Sequence, residues 1–198
     1  MFNPRQLIWL TKALPNFLWP VKWLITRNSL KIVGKNFRFG SNSIFTDPKL
    51  IEIGNNVFFS DGIIINTKVQ VKIGNGVMFG PEVMIMGGDH NFSVVGKQMR
   101  EIKQGGLNMP VTLEDDVWVG SRTIILKGVK ISEGSVLGAG SLVTKSMPPY
   151  SVCAGNPCRP VKCRFSSDGL NEHLRLVGSN YTFDEIVSQF HQWDIKIE

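Results

Sequence analysis

Apolar residues fall at every sixth position over most of this chain. The series runs Val33, Phe39, Phe45; Ile53, Phe59, Ile65; Ile73, Phe79, Ile85; and then Leu113, Val119, Ile125, Ile131, Leu137, Val143. A glycine often follows the apolar residue, as at Gly34, Gly54, Gly74, Gly120 and Gly138. A second small or apolar residue stands four places after it, from Val57 and Ile63 to Ser135 and Ser141. A period of six matches neither the 3.6-residue repeat of a helix nor the two-residue alternation of an ordinary strand. It matches a solenoid in which each hexapeptide makes one flat side and three sides make one triangular coil. The alternative is a β-sandwich with coincidental spacing. It would have to place an apolar residue at all fifteen of the positions named in the series.

The spacing therefore predicts an all-β fold, a parallel β-helix over residues 31–164. Side chains at the sixth positions fill its interior, and coils pair their backbones in parallel. Asn55, Asn56, Asn75 and Gly76 suit the corners, where positive φ is often needed. Coils starting at Val33, Ile53 and Ile73 are twenty residues apart, and those at Leu113 and Ile131 eighteen. The step from Ile73 to Leu113 is double. It contains the polar stretch 90–110, with Lys97, Arg100, Glu101, Lys103 and Gly105-Gly106, which reads as a loop thrown out of the solenoid. Structureless excursions of this length in compact domains tend to be functional.

The ends differ from the middle. Residues 1–30 read as one or two short helices broken at Pro15 and Pro20, with Trp9, Trp19 and Trp23 among them. Two readings stand for this segment: a cap on the open end of the solenoid, or a basic, Trp-rich peripheral membrane contact. Met147-Pro148-Pro149 ends the regular coils, and Ser151 to Val161 completes a last irregular side. In the tail, 165–198, Thr182-Phe183-Asp184-Glu185 reads as a capping box opening a helix through about Trp193.

Net charge is +6, but the basic excess lies at the start. Arg5, Lys12, Lys22, Arg27, Lys31, Lys35 and Arg38 all precede Asp47, the first acid. That distribution argues against a nucleic-acid reading face. Cys153, Cys158 and Cys163, odd in number and clustered, make a poor disulfide framework and read as reduced thiols in the cytoplasm. No signal peptide or membrane-spanning run is legible.

Candidate chemistry is sparse. Of the three histidines only His90 lies in the prism. A metal site needs three or four ligands, so no metal is expected. No nucleophile stands beside a base in the pattern that covalent catalysis needs. What remains is a lone imidazole at the root of the only long loop, in Gly87-Gly88-Asp89-His90-Asn91-Phe92. Imidazole titrates near ~6.5, so it can take a proton from an attacking hydroxyl or amine.

Several stretches resemble the hexapeptide-repeat acyltransferases. They are Ile73-Gly74-Asn75-Gly76-Val77, the Gly-Gly-Asp-His run ending at His90, Asp115-Asp116-Val117-Trp118-Val119-Gly120-Ser121, Leu137 to Lys145, and Ala154 to Pro160. The likeness is closest to the sugar and polysaccharide O-acetyltransferases related to the maltose and galactoside enzymes, and it covers roughly residues 33–163. The resemblance implies a left-handed β-helix and a homotrimer with active sites between subunits. It implies acetyl-CoA as co-substrate and direct attack by a saccharide hydroxyl with His90 as general base. On the matching positions it implies that Trp118 lines the site and that the Ser121 N–H holds the oxyanion. It also implies that Gly120, Ala139, Thr144, Lys145, Arg159 and Lys162 bind CoA. The disaccharide enzymes' early sugar-binding pattern is not matched. Here the stretch is Phe59-Ser60-Asp61-Gly62 followed by Asn66-Thr67, which leaves Asp61 and Asn66 as candidate acceptor contacts. With the basic start, this points to a lipid-linked or nascent polysaccharide sugar at the inner membrane face. The rival expectations are an N-acetyltransferase acting on an aminosugar or small drug-like molecule, and a non-catalytic β-helix scaffold.

Overall fold

The computed structural model describes residues 18–103, 105–106 and 109–197. Their centre is a three-faced parallel β-solenoid. The first face stacks β1 (Ile32–Val33), β4 (Ile51–Ile53), β7 (Val71–Ile73), β10 (Val111–Leu113) and β13 (Lys130–Ile131). The second stacks β2 (Arg38–Phe39), β5 (Phe58–Phe59), β8 (Met78–Phe79), β11 (Trp118–Val119) and β14 (Val136–Leu137). The third stacks β3 (Ile44–Phe45), β6 (Ile64–Thr67), β9 (Met84–Gly87), β12 (Ile124–Leu126) and β15 (Leu142–Val143).

The sixth-position series forms the rungs of these ladders. Val33 pairs with Ile53, Ile53 with Ile73, Ile73 with Leu113 and Leu113 with Ile131. All fifteen residues point inward, and all but Val33 are buried. The residues four places on are buried too, from Val57 to Ser141. Phenylalanines fill the lower coils in a continuous stack: Phe59 lies parallel to Phe79 with centroids 4.4 Å apart, and Phe37 meets it edge-on at 5.2 Å.

The direct pairing of Val71–Ile73 with Val111–Leu113 makes the double step in sequence a single coil in space. The extra residues of the lower coils also leave at that corner, between the third face and the first. There the first coil makes a one-turn 3-10 helix at Pro48–Leu50. One edge of the prism thus absorbs every insertion, and the long loop grows from it.

Corner chemistry follows from the rung spacing. Asn36, Asn56, Asp116 and Gly76 take positive φ. Asn55 and Asn75 do not. Each uses its side-chain oxygen to accept a backbone N–H from the coil below, Lys35 and Asn55 respectively, at 2.8 and 2.9 Å, and Asp115 does the same for Asn75 at 2.7 Å. An open solenoid end would expose unpaired strand edges. The lower end carries α1 (Trp19–Ser29), whose Trp23 stacks on Phe39 at 6.2 Å. Pro20 does not break this helix. It sits in the first turn, where its missing N–H has no partner to lose. The other half of the membrane reading falls on residues 1–17, which lie outside the described residues. No described helix is long and apolar enough to cross a membrane.

At the upper end, the last irregular side is an antiparallel hairpin, β16 (Ser151–Gly155) with β17 (Cys158–Cys163), whose first strand continues the second face. Cys153, Cys158 and Cys163 are free and buried. The tail holds two helices where the sequence suggested one. The capping box works as expected for α3 (Phe183–His191): the Thr182 N–H donates to Glu185 at 2.7 Å. The helix ends before Trp193. Ahead of it, α2 (Ser167–Val177) starts on the Ser166 hydroxyl. Leu170, Ile186 and Phe190 form a second small core with Tyr150 and Cys163. Burial, with Glu133 beside it, pushes the Tyr150 phenol up, so it stays a donor to the Glu133 carboxylate at 2.5 Å.

Candidate active site

The prism has three long edges, and the predicted site residues divide between two of them. His90 leaves the edge after the third face, where the loop begins. One coil below it, Asn66 stands on the same edge, in register with Met86. Asn66 accepts a hydrogen bond from the Thr46 hydroxyl at 3.2 Å. Thr144 and Lys145 are exposed on this edge after β15. Ser121, Ala139 and Asp61 occupy the other edge, between the second and third faces.

His90 is exposed. Its backbone N–H donates to Asp89 Oδ1 at 2.8 Å, and Asp89 Oδ2 pairs with Lys127. The imidazole makes no side-chain hydrogen bond among the described residues, which leaves both ring nitrogens available to a ligand.

The amides of the edge with Ser121 are capped in some coils and not in others. In the first coil the equivalent amide, Ser41 N–H, is capped by Asp61 Oδ1 of the coil above at 2.6 Å, and the Ser41 hydroxyl binds the same oxygen at 2.9 Å. Asp61 is thereby committed to the corner. The rung above Ser121 is Ala139, which has no acceptor to offer. Among the described residues neither the Ser121 N–H nor the Ala139 N–H meets an acceptor, while the Ser121 carbonyl takes the Gly140 N–H at 2.8 Å. Two amides in successive coils, about 4.8 Å apart as neighbouring strands are, are left for a ligand's oxygens.

Gly120 stands beside them because the coils touch there. A Cβ at Gly120 would lie 2.6 Å from Ala139 N and from Leu137 O. Gly120→Ala is expected to cost about 1–3 kcal/mol of stability, the usual range for overpacking. The check is a lower denaturation midpoint at unchanged slope.

Trp118 points outward from the second face and is 52% exposed. It continues an exterior column with Phe58 and Met78, 49% and 46% exposed, in direct register. The third face carries an exterior column of Ile44, Ile64, Met84, Ile124 and Leu142. The first face is different: its outward residues are Ile32, Glu52, Lys72, Thr112 and Lys130. Apart from Arg38 at the foot of the second column, two exteriors are apolar, while that of the first face carries most of the charge, so the prism is asymmetric.

At the upper end, a groove of about 490 Å³ lies between the coils and the tail, lined by Lys130, Lys145, Tyr181, Gln189 and Trp193 among others. Lys130 is held by Glu114 at 2.7 Å. Lys145 has no carboxylate partner among the described residues. The Arg159 guanidinium lies 5.7 Å from the Trp193 ring centre. Lys145 and Trp193 thus line one groove, and Arg159 lies beside the same indole. Lys162, exposed on β17, instead lines a separate groove with Arg164 and Lys196.

Residues 110–145 match the family model described as hexapeptide repeat of succinyl-transferase. The solved structure of a maltose O-acetyltransferase from Clostridium difficile 630 superposes with a TM-score of 0.70 at 31% identity, covering 81% of this chain and 83% of that one. The chain belongs to the hexapeptide-repeat acetyltransferases. A second member, a galactoside acetyltransferase solved in complex with coenzyme A, gives a TM-score of 0.69 at 28% identity over 83% of this chain and 80% of its own. Among curated relatives, a chloramphenicol acetyltransferase from Klebsiella aerogenes is 38% identical over 72 residues, 36% of this chain. That match spans 34% of the relative's length.

The sequence singles out His90 and the Ser121 rung as candidates but gives no sign of the partner of Asp89. Lys127 stands thirty-eight residues on, outside any motif. The uncapped amides were legible in principle: writing the coils one above another puts Asp61 over Ser41 but Ala139 over Ser121.

Proposed function

We propose that the protein transfers an acetyl group from acetyl-CoA to a saccharide hydroxyl, with His90 as general base. The acceptor oxygen attacks the thioester carbonyl while His90 takes the hydroxyl proton. The C–S bond breaks, and CoA leaves as the thiol with that proton. Positioned proton transfer of this kind contributes about 10²–10⁴-fold. The Ser121 N–H is the donor to the developing oxyanion, an interaction worth about 2.7–4 kcal/mol in comparable sites. Ala139 N–H takes an amide oxygen of the pantetheine arm, and Lys145 and Arg159 face the phosphates, for which fixed cations are natural partners.

The observation that carries this reading is the pair of uncapped amides at Ser121 and Ala139, in a chain whose fold matches a galactoside acetyltransferase with bound coenzyme A. The division of the site between two edges supports a further element. His90 and Ser121 stand on opposite sides of the third face, so one thioester can meet both most simply where two copies adjoin. The apolar exteriors of the second and third faces, set against the charged first face, support a homotrimer with a site in each cleft.

A second reading comes from the 38% identity to a chloramphenicol acetyltransferase: the acceptor is a small drug-like molecule. One assay separates them. Free thiol release from acetyl-CoA is followed with maltose, a galactoside, glucosamine and chloramphenicol as acceptors, and the product is analysed for O- or N-acetyl. Transfer to a sugar hydroxyl is expected. Acetylation of chloramphenicol alone supports the second reading, and acetyl on the glucosamine nitrogen alone contradicts O-transfer.

A further inference from the structure

His90 stands on irregular, exposed backbone and its ring has no side-chain partner among the described residues. A base that must meet a proton within hydrogen-bond reach needs its main chain held. Among the described residues three contacts do this, and two converge on one corner of the next coil. The outgoing limb of the loop is tied where Asp89 accepts the His90 N–H at 2.8 Å through one oxygen and pairs with the Lys127 ammonium through the other. Lys127 follows β12 directly and is three-quarters buried, as is Asp89. The returning limb is tied to the next residue of that corner: Gly128 N–H donates to Met109 O at 3.2 Å. Between the limbs, Gly106 passes so close that a Cβ there would lie 3.0 Å from His90 O and 3.3 Å from Asp89 Oδ2.

We propose that the Asp89–Lys127 pair is a positioning device for the base: it fastens the backbone of His90 to the corner at Lys127-Gly128 and fixes where the imidazole can reach. This rests on the reading of His90 as general base. The Asp89 carboxylate is charged throughout the neutral range, because the Lys127 hydrogen bond, followed by the His90 N–H, holds it below its ordinary 3.8 against the opposing effect of burial. A depressed carboxyl contributes its stabilisation above that ordinary value and loses it as the pH falls below. The carboxylate's share of the fastening is thus present at neutral pH and lost in acid.

The test compares kcat and KM for acetyl-CoA in wild type, Asp89→Asn, Lys127→Met, the double variant and Lys127→Arg. Acetyl-CoA is the donor, with the fastest acceptor of the panel above or, failing any, water. Asp89→Asn keeps one oxygen for the His90 N–H and replaces the oxygen facing Lys127 with an NH2 that cannot accept. A small misplacement of a reacting group costs about ten- to a hundredfold. Asp89→Asn and Lys127→Met are each expected to lower kcat about tenfold or more with KM changed less than twofold. The double variant should be no slower than either single one, and Lys127→Arg should retain at least half of the wild-type kcat. The decisive arm repeats Asp89→Asn in a His90→Ala background, where it should change nothing, since the residue acts through His90. Equal losses with and without His90 overturn the inference, as does wild-type kcat in Asp89→Asn. A slow His90→Ala enzyme beside an unaffected Asp89→Asn overturns the positioning role alone. A His90→Ala enzyme as fast as wild type overturns the base assignment, and the positioning role with it.

Discussion

His90→Ala is expected to slow acetyl transfer by about 10²–10⁴-fold, which corresponds to about 2.7–5.5 kcal/mol of transition-state stabilisation. The loss should fall on kcat, with KM for acetyl-CoA nearly unchanged, because the groups assigned to the donor are elsewhere: the Ser121 and Ala139 amides on another edge, Lys145 and Arg159 at the upper end. Removing a group that acts only in the transition state lowers kcat and kcat/KM together. Stability should not change, since the side chain is exposed and its ring holds nothing in place. Steady-state kinetics with acetyl-CoA, alongside a melting curve, checks both halves. A non-catalytic scaffold would show no dependence on His90 at all.

Phe59→Ala is expected to destabilise the fold by about 3–5 kcal/mol, the usual cost of deleting a buried aromatic. Phe59 is fully buried and touches three rings: Phe79 parallel at 4.4 Å, Phe37 edge-on at 5.2 Å and Phe45 at 6.3 Å. Neighbours in a stacked prism cannot collapse into the gap, because each is fixed by parallel hydrogen bonds to the coils above and below. Val57 O takes the Arg38 N–H and Val77 O the Phe58 N–H, both at 3.0 Å. Because each coil contacts only its neighbours, the damage should concentrate in the lower coils. Chemical denaturation measures the total. Amide exchange should show protection lost first over residues 33–65, with the upper coils around Ile125 and Leu137 keeping theirs longer.

The prism was legible because its signal is redundant: fifteen apolar rungs and a repeated corner chemistry say the same thing. The loop was legible as the one interruption of that signal, and His90 was singled out by standing where the interruption begins. Other features were hidden for physical reasons. The Asp89–Lys127 pair joins two coils through the excursion, so its spacing belongs to no period. The uncapped amides depend on what Ala139 lacks, which matters only once it lies over Ser121. The helix at Ser167–Val177 carries an apolar triplet, Leu170, Leu174 and Val177, but Gly169 in its first turn and the absence of a Thr-x-x-Glu box leave its start unmarked in the sequence. Pro20 misled in the opposite direction, since a proline that would break a helix interior is favoured in its first turn. Asp61 illustrates a different limit: a polar residue beside a candidate cleft is engaged by its own corner, taking the Ser41 N–H.

The central claim is that one imidazole and one uncapped amide, separated on a single chain, serve the same thioester. A crystal structure of the protein with bound coenzyme A tests it most directly. The CoA sulfur is expected within hydrogen-bonding reach of His90 from one copy and beside Ser121 from a neighbouring copy, with the pantetheine along Ala139. A CoA sulfur far from His90, or a single chain binding CoA without a neighbour, would contradict it.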